Sequence, residues 1–273
     1  MAIRGTRYEA DGAARRPAAA SPAGDPDYML SLARGLEVIR AFEHARPTLS
    51  ITEVARLTGI SRAAARRCLH TLALLGYVAG RDGGYVLTPR ILALGHAYLS
   101  ALPLARIAQP VLERLSGRLH ETCSIAVLDG DEIVYLAHAA TQRILAISLS
   151  VGSRLPAYCT SIGRMLLAHL DDAELDLYLA RVQLERLTPH TITDRSVLRK
   201  ELRRSRSAGY VLVDQELEMG LRSVAVPVKQ PDGRVIAAIN VGAHAARNDR
   251  QAMVKTCLPA LVDAAHEIGL GIR

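Results

Sequence analysis

Two short helices joined by a glycine-containing turn constrain the fold of this 273-residue chain more than any other feature. The stretch SITEVARLTGIS opens with Ser50 and Glu53 at capping-box spacing, which predicts a helix start, and Thr58-Gly59 closes that helix. Ser61 then caps a further helix over RAAARRCLHTLALLGY. This spacing is typical of a helix-turn-helix unit, whose second helix enters the major groove of DNA.

The helix after the turn has one apolar and one basic face. At 100° per residue, its core side is predicted to comprise Ala65, Cys68, Leu69 and Leu72. The opposite side comprises Ala63, Arg67 and His70, flanked by Arg62 and Arg66. Basic helix faces are often merely solvated. The capping-box helix before this one and the hairpin after it favour DNA binding instead.

The stretch GYVAGRDGGYVLT predicts a hairpin with an Asp-Gly-Gly turn and with Arg81 near its tip, which is typical of a wing. The N-terminal part is therefore predicted to be a helix-rich winged helix-turn-helix domain. Arginine suits guanine O6 and N7, and an alanine methyl suits a thymine methyl, whereas Thr52 and Arg81 are expected at phosphates. The predicted DNA-contacting residues are Thr52, Ser61, Arg62, Ala63, Arg66, Arg67, His70 and Arg81.

The charge distribution agrees with a DNA-binding N-terminal part. The chain carries a net charge of +7. Residues 28–100 hold nine arginines against four acidic residues, an excess of five positive charges, whereas residues 1–27 sum to zero. Most of the excess therefore lies in the part that is expected to meet phosphates.

Composition and periodicity divide the chain into four segments. Residues 1–27 are rich in Ala, Pro, Gly and Arg and are predicted to be a disordered arm, and residues 28–88 form the DNA-binding domain. Thr88-Pro89 starts a linker helix over 89–103, whose apolar stripe either packs on one domain or pairs with its copy in a second subunit. Residues 104–273 form the last segment.

The last segment is predicted to be an α+β domain with an antiparallel sheet, because its strands are joined by tight turns. A long helix runs to about His120 and is expected to be interrupted or bent at Pro110. The strands are predicted around the Asp129-Gly130 turn and over 143–151, 209–214, 222–228 and 234–242, and the helices over 171–180, 194–208 and 249–268.

Several function classes are not supported by the sequence. No G-x-G-x-x-G follows a strand and no Walker loop occurs, so we expect no nucleotide cofactor. The four cysteines are scattered without zinc spacing, so no metal site is expected. No apolar run reaches about 18 residues and the N-terminus lacks a signal-peptide pattern, so we expect a cytoplasmic protein without membrane contact.

Three stretches resemble the IclR family of transcriptional regulators. LARGLEVIRAFEHARPTLSITEVARLTGISRAAARRCLHTLALLGYV resembles its DNA-binding domain, whereas GSRLPAYCTSIGRMLLA and GLRSVAVPV…DGRVIAAINVG resemble its GAF-like effector domain. The wording LPAYCTSIGR is most similar to the branch that regulates aromatic-acid catabolism through the β-ketoadipate pathway. The sequence departs from family patterns at Cys68, where a bulkier residue is expected, and at Asn240 and Gly242, where glyoxylate-responsive members carry serines.

The resemblance implies a regulator and not an enzyme. It implies a homodimer or dimer of dimers on a palindromic promoter site, and activation more often than repression in this branch. It also implies a small carboxylate or aromatic effector of the protocatechuate, 4-hydroxybenzoate or β-ketoadipate type. The resemblance does not specify the exact effector.

Cys159, Thr160 and Ser161 are adjacent where a helix is predicted to begin. They are either a nucleophile with assisting groups or an anion-binding site, here called the anion seat. His169 is eight residues or more along the same helix, which at about 1.5 Å per residue is too far to act as the base. The anion seat is therefore favoured. The predicted effector-binding residues are Arg143, Arg154, Tyr158, Cys159, Thr160, Ser161, Asp214, Ser223 and Asn240.

Three alternatives remain open at this point. The alternatives are a repressor that its ligand releases, an enzyme that uses Cys159, and a DNA-binding architectural protein without a ligand. The first differs from an activator in the response of transcription to the effector. The second predicts loss of function in Cys159→Ala, and the third predicts no stabilisation by any small molecule.

Overall fold

A computed structural model describes residues 25–42, 48–101, 103–140 and 150–272 of the chain. These residues form two compact units that divide between Tyr98 and Leu99. Residues 1–24 of the predicted arm, most of the predicted strand over 143–151, and Arg143 lie outside the described residues.

The first unit is a winged helix-turn-helix domain, as predicted. Three helices are followed by a two-stranded antiparallel hairpin. Leu49 adds an isolated bridge to Tyr85 of this hairpin. The elements are α1 (Leu30–Arg40), α2 (Ile51–Thr58), α3 (Arg62–Leu74), β1 (Val78–Arg81) and β2 (Gly84–Leu87).

Side-chain caps and one left-handed residue fix the turn between α2 and α3. The Ser50 amide donates to Glu53 Oε2 over 2.8 Å, and Ser50 Oγ accepts from the Glu53 amide, which completes the predicted capping box. Gly59 ends α2 at φ +71°, a conformation that costs glycine little. Ser61 Oγ then accepts from the Ala64 amide and starts α3. The direction of α3 is thus set by local chemistry.

A small core holds the three helices and the hairpin together. Val38 and Phe42 of the first helical segment pack with Leu69 and Leu72 of α3, whereas Cys68 is only half-buried. Leu32 and Leu36 of α1 belong to the same apolar repeat as Phe42 but are exposed. The buried core residues are Val38, Phe42, Leu49, Val54, Ala65, Leu69, Leu72 and Val78.

The predicted linker helix begins as a tighter turn. Thr88 Oγ1 accepts from the Arg90 amide, and Pro89–Ile91 form a 3-10 turn. Helix α4 (Leu92–Ala101) follows, and the division between the two units falls within it. Its side chains Leu92, Leu94 and Tyr98 are exposed on the single chain.

The second unit is an α+β domain around a six-stranded sheet, as predicted. Its strand order is β5-β4-β3-β8-β7-β6, and every pair is antiparallel. The strands are β3 (Thr122–Asp129), β4 (Glu132–Ala139), β5 (Arg154–Pro156), β6 (Val211–Asp214), β7 (Leu221–Lys229) and β8 (Val235–His244). The helices are α5 (Pro103–Leu119), α6 (Ser161–Leu167), α7 (Asp172–Arg181), α8 (Arg195–Ala208), α9 (Arg250–Ala252) and α10 (Leu258–Leu270).

The sheet separates two cores. On one face, side chains such as Ile125 and Ile239 pack with α5 and α10. On the other face, Ala126 and Ala238 pack with α6, α7 and α8. Because successive strand residues point to opposite faces, one strand serves both cores.

Three details differ from the sequence-based expectations. Helix α5 is not interrupted at Pro110, because the buried face on either side of it, including Ala108 and Val111, outweighs the lost hydrogen bond. The edge strand β5 has only three residues and was not predicted. The last helix extends two residues beyond Ile268 and contains a π-helical turn at Met253–Cys257.

Two helical glycines of the second unit should respond oppositely to replacement by alanine. A Cβ at Gly269 would lie 2.1 Å from the Lys229 carbonyl oxygen, whereas a Cβ at Gly117 would meet nothing within 4 Å. We expect Gly269→Ala to destabilise the unit by about 1–3 kcal/mol through overpacking. Gly117→Ala should stabilise it by about 0.5–1 kcal/mol through helix propensity.

Urea denaturation followed by circular dichroism measures both effects, and each variant is the control for the other. Equal shifts of the unfolding midpoint in the same direction would contradict the packing of α10 against β7.

Candidate functional site

A cavity of about 250 Å³ lies in the second unit on the sheet face that α6 covers. Its floor is the sheet, its roof is the start of α6, and one wall is the loop from β6 to β7. The lining residues are Thr122, Ser124, Tyr135, Leu155, Cys159, Thr160, Ser161, Val213, Leu217, Glu218, Met219, Gly220, Leu221, Ser223, Asn240, Gly242 and His244.

Strand register builds the floor from small polar residues. Thr122 is paired with Gly242, which is paired with Ser223, so one row crosses three strands. In the next row, Ser124 is paired with Asn240. Directly opposite residues of antiparallel strands share a face, so all five line the same surface. Their short side chains leave the space that the cavity occupies.

The roof is held close by the Thr160 cap. Thr160 Oγ1 accepts from the Gly163 amide over 3.2 Å and lies 3.1 Å from the Pro156 carbonyl oxygen, to which it donates. A Cβ at Gly163 would lie 2.3 Å from the Ala157 carbonyl oxygen, so only glycine fits there. The Thr160 hydroxyl is thus engaged within the protein and does not have its proton free for a ligand.

Ser161 and Asn240 join the roof to the floor. Asn240 Nδ2 donates to Ser161 Oγ over 3.3 Å, and the Ser161 proton has no acceptor among the described residues, so it is available to a ligand. Asn240 Oδ1 is buried and has no hydrogen-bond partner among the described residues. A buried polar atom without a partner is costly unless water or a ligand meets it.

Cys159 lies in the cavity wall as a protonated thiol. Burial raises the pKa of the Cys159 thiol to about 12, and the positive charge of nearby Arg164 offsets only part of this rise. A nucleophile must be a thiolate, so this environment disfavours covalent chemistry at neutral pH. Burial also raises the pKa of Tyr135, whose side chain lines the cavity near Cys159.

Arg154 and Tyr158, which the sequence predicted as effector-binding, do not line this cavity. Arg154 forms ion pairs with Asp129 and Glu132 at 2.6 and 2.8 Å. Tyr158 Oη donates to the Glu185 carbonyl oxygen over 2.8 Å. Both side chains are therefore engaged within the protein.

Asp214 is also placed elsewhere, between Arg222 and Arg250 at 2.9 and 2.8 Å. Burial alone would raise the pKa of Asp214, but the hydrogen bonds from these two arginines outweigh it and lower the pKa. Arg143 lies outside the described residues. The structure thus brings together Cys159, Thr160, Ser161, Ser223 and Asn240 from the predicted set.

Five polar residues of the cavity were not found from the sequence. These are Thr122, Ser124, Tyr135, Glu218 and His244. Thr122 and Ser124 interrupt an apolar strand as Ser223 and Asn240 do, so the same pattern would have found them. Glu218 and His244 follow no such pattern, because only the pairing of strand ends brings them to the cavity.

The predicted DNA-contacting residues share one property in the first unit, which is exposure to solvent. Arg66, Arg67 and His70 extend from the face of α3 opposite its buried residues. Arg81 at the wing tip is exposed and forms a loose pair with Asp82 at 3.5 Å. The other exposed members of the set are Thr52, Ser61, Arg62 and Ala63.

The described ranges contain no cluster of three or more His, Cys, Asp or Glu side chains suited to a metal ion. No helix in the same ranges has the length and apolar character needed to cross a membrane.

Two family models match the chain. The IclR helix-turn-helix domain matches residues 31–82, and the bacterial transcriptional regulator IclR C-terminal domain matches residues 96–270. The two matches follow each other along the chain and correspond to the two units of the structure.

Full-length relatives agree with both domain matches. The Pca regulon regulatory protein of Pseudomonas putida is 48% identical, with 95% of this chain and 92% of that protein covered. The p-hydroxybenzoate hydroxylase transcriptional activator of Acinetobacter baylyi is 39% identical, with 89% and 91% covered.

A solved structure agrees as well. An IclR homologue from Microbacterium hydrocarbonoxydans, complexed with 4-hydroxybenzoate, is 29% identical with a TM-score of 0.78, over 88% of this chain and 98% of that one. The winged helix-turn-helix unit, the α+β unit with its cavity and these matches lead to one conclusion. The chain belongs to the IclR family of DNA-binding bacterial transcriptional regulators.

Proposed function

We propose that this regulator senses a single-ring hydroxylated aromatic acid, such as 4-hydroxybenzoate or protocatechuate, and controls genes of aromatic-acid catabolism. The observation that carries the proposal is the cavity beside α6, which hydroxyl and amide groups, Glu218 and His244 line together with apolar side chains. The chain's similarity to the Pca regulon regulatory protein of Pseudomonas putida and to the p-hydroxybenzoate hydroxylase transcriptional activator of Acinetobacter baylyi supports the same assignment.

Size and polarity of the cavity favour this ligand class. At about 250 Å³ it is smaller than the roughly 300–1,000 Å³ of pockets for drug-sized ligands, which suits a compact ring. Leu155, Val213 and Leu221 offer apolar contacts for the ring, while Ser161 and Ser223 offer hydrogen bonds. The ligand carboxylate is assigned to Ser161 and its neighbours, and a role for Arg143 remains part of the proposal.

Residues 28–88 are assigned to DNA binding, 89–103 to subunit pairing and 104–273 to effector binding. In this scheme α3 enters the major groove and the wing meets the backbone. The exposed apolar side chains of α4 pair with a second copy, so that two helix-turn-helix units address a palindromic site. Effector binding shifts the population of two arrangements of the paired domains.

The runner-up proposal is a repressor of the same architecture that its effector releases. Transcription of a reporter with and without effector distinguishes it from an activator. The enzyme alternative has little support, since the high pKa of Cys159 disfavours a thiolate, and Cys159→Ala should leave the response to the effector largely intact.

Replacing Arg67 or Arg81 by alanine should weaken DNA binding in two different ways. Arg67 is assigned to a base edge, so Arg67→Ala should cost about 1–3 kcal/mol on the preferred site and relax the preference at one base pair. Arg81 is assigned to phosphate, so Arg81→Ala should weaken all sequences about equally and lower the salt dependence. Fluorescence anisotropy with operator variants and random DNA measures both effects.

Arg106→Ala is the matched control, because this exposed arginine of α5 belongs to the second unit. It should change neither affinity nor preference. Uniform weakening by both Arg67→Ala and Arg81→Ala would contradict the assignment of α3 to the major groove.

Thermal-shift titration tests the effector. A ligand at about 100 times its Kd that binds only the folded state adds about 2.7 kcal/mol, which appears as several degrees in Tm. We expect a saturable shift with one ring acid among protocatechuate, 4-hydroxybenzoate, catechol, β-ketoadipate, glyoxylate and pyruvate. Ser161→Ala should weaken it, because the free Ser161 proton is lost.

Ser207→Ala on α8 is the matched control, since Ser207 is exposed and lies outside the cavity. It should leave the shift unchanged. A response to none of the six compounds would refute the assigned ligand class.

Subunit pairing through α4 is tested by charge. Leu94 is 51% exposed on the single chain, so Leu94→Glu should leave the stability of a monomer unchanged. In a dimer it would bury a charge and should therefore disrupt an apolar helix pair. Light scattering after size exclusion should show a smaller species for Leu94→Glu. The exposed Leu177→Glu on α7 serves as the control, and an unchanged mass of Leu94→Glu would argue against pairing through α4.

A further inference from the structure

Glu218 places a carboxyl group in the wall of the cavity. It lies in the loop between β6 and β7, is half-buried, and has no hydrogen bond or ion pair to its side chain among the described residues. Buried cations nearby in the chain are engaged elsewhere, Arg164 with Glu216 and Arg222 with Asp214. Burial raises the pKa of Glu218. The carboxyl group can therefore accept a hydrogen bond from a ligand.

His244 provides a donor at the same end of the cavity. The Ala246 amide donates to His244 Nδ1 over 3.2 Å, so the neutral ring carries its proton on Nε2. This Nε2 faces the loop, since it lies 3.3 Å from the position that a Cβ of Gly220 would take. His244 is also the strand partner of Leu221, three residues after Glu218.

An acceptor and a donor at one end of a cavity select the group that meets them. A phenolic hydroxyl donates one hydrogen bond and accepts others, so it satisfies both Glu218 and His244. A ring C–H does neither. A carboxylate at neutral pH only accepts, and Glu218 repels it because the charges are alike.

We propose that Glu218, with His244 beside it, recognises the ring hydroxyl of the effector and determines specificity for hydroxylated over unsubstituted aromatic acids. This inference rests on the proposed function of the cavity. Glu218 also orients the effector, because its negative charge repels the effector carboxylate and directs it away from the loop. The hydroxyl groups of Ser161, Ser124 and Tyr135 line other parts of the cavity and suit that carboxylate.

The test is isothermal titration calorimetry of the full chain with 4-hydroxybenzoate, benzoate and terephthalate. The wild type should prefer 4-hydroxybenzoate over benzoate by more than tenfold and should bind terephthalate weakest. Glu218→Met removes the acceptor and should reduce the preference over benzoate to less than threefold. Glu218→Gln keeps an acceptor without charge, so it should retain much of that preference and bind terephthalate at least tenfold more tightly than the wild type does.

Glu201→Gln on α8 is the matched control, since Glu201 is half-buried and lies outside the cavity. It should change none of the ratios. Wild-type preference in Glu218→Met, with binding retained, would overturn this inference and leave the proposed function standing. Binding of no ring acid by the wild type would overturn both. Benzoate titration also shows whether each variant is folded, because its affinity should change little.

Discussion

A buried ion pair between Arg164 and Glu216 organises the second unit. Both Arg164 terminal nitrogens donate to the Glu216 carboxylate, at 2.6 Å for the Nη1–Oε1 pair, and Arg164 Nε donates to the Tyr158 carbonyl oxygen. Glu216 Oε2 also accepts from the Ile192 amide. Removing two charges from water is costly unless every remaining donor and acceptor is satisfied. The ion pair and its hydrogen bonds therefore hold α6, the turn at Tyr158, the loop after β6 and the segment at Ile192 in place relative to one another. The start of α6 is the roof of the cavity, and the loop after β6 is one of its walls.

The same principle explains why two charged residues do not line the cavity. The sequence predicted Arg154 and Asp214 as effector-binding because charged groups beside a predicted pocket suggest ligand contacts. In the folded chain each has partners of opposite charge, Asp129 and Glu132 for Arg154, and Arg222 and Arg250 for Asp214. A sequence shows which residues carry charge, but only the fold shows which charges neutralise one another. Cys159, Thr160 and Ser161 were predictable because they stand where a helix begins, and Ser223 and Asn240 because isolated polar residues on apolar strands indicate a pocket.

Local chemistry also decides how much of the fold could be predicted. The Ser50 capping box and the turns at Gly59 and Gly130 are properties of a few adjacent residues, so the elements around them follow from sequence alone. Strand β5 depends instead on pairing with β4 across a distant part of the chain, and three residues carry no periodicity. Pro110 is tolerated for a comparable reason, since packing of α5 outweighs a local preference. Leu32 and Leu36 are exposed although they belong to the apolar repeat of α1, because spacing alone does not show which positions other elements cover.

The sheet with a different core on each face has a consequence for how such regulators diversify. Ser124 lies between Cys123 and Ile125, and Asn240 lies between Ile239 and Val241, so these two cavity positions are flanked by side chains of the opposite core. Changes at these two positions leave the contacts of that core with α5 and α10 in place. The fold can therefore acquire a new chemical signal one residue at a time while half of its scaffold remains untouched.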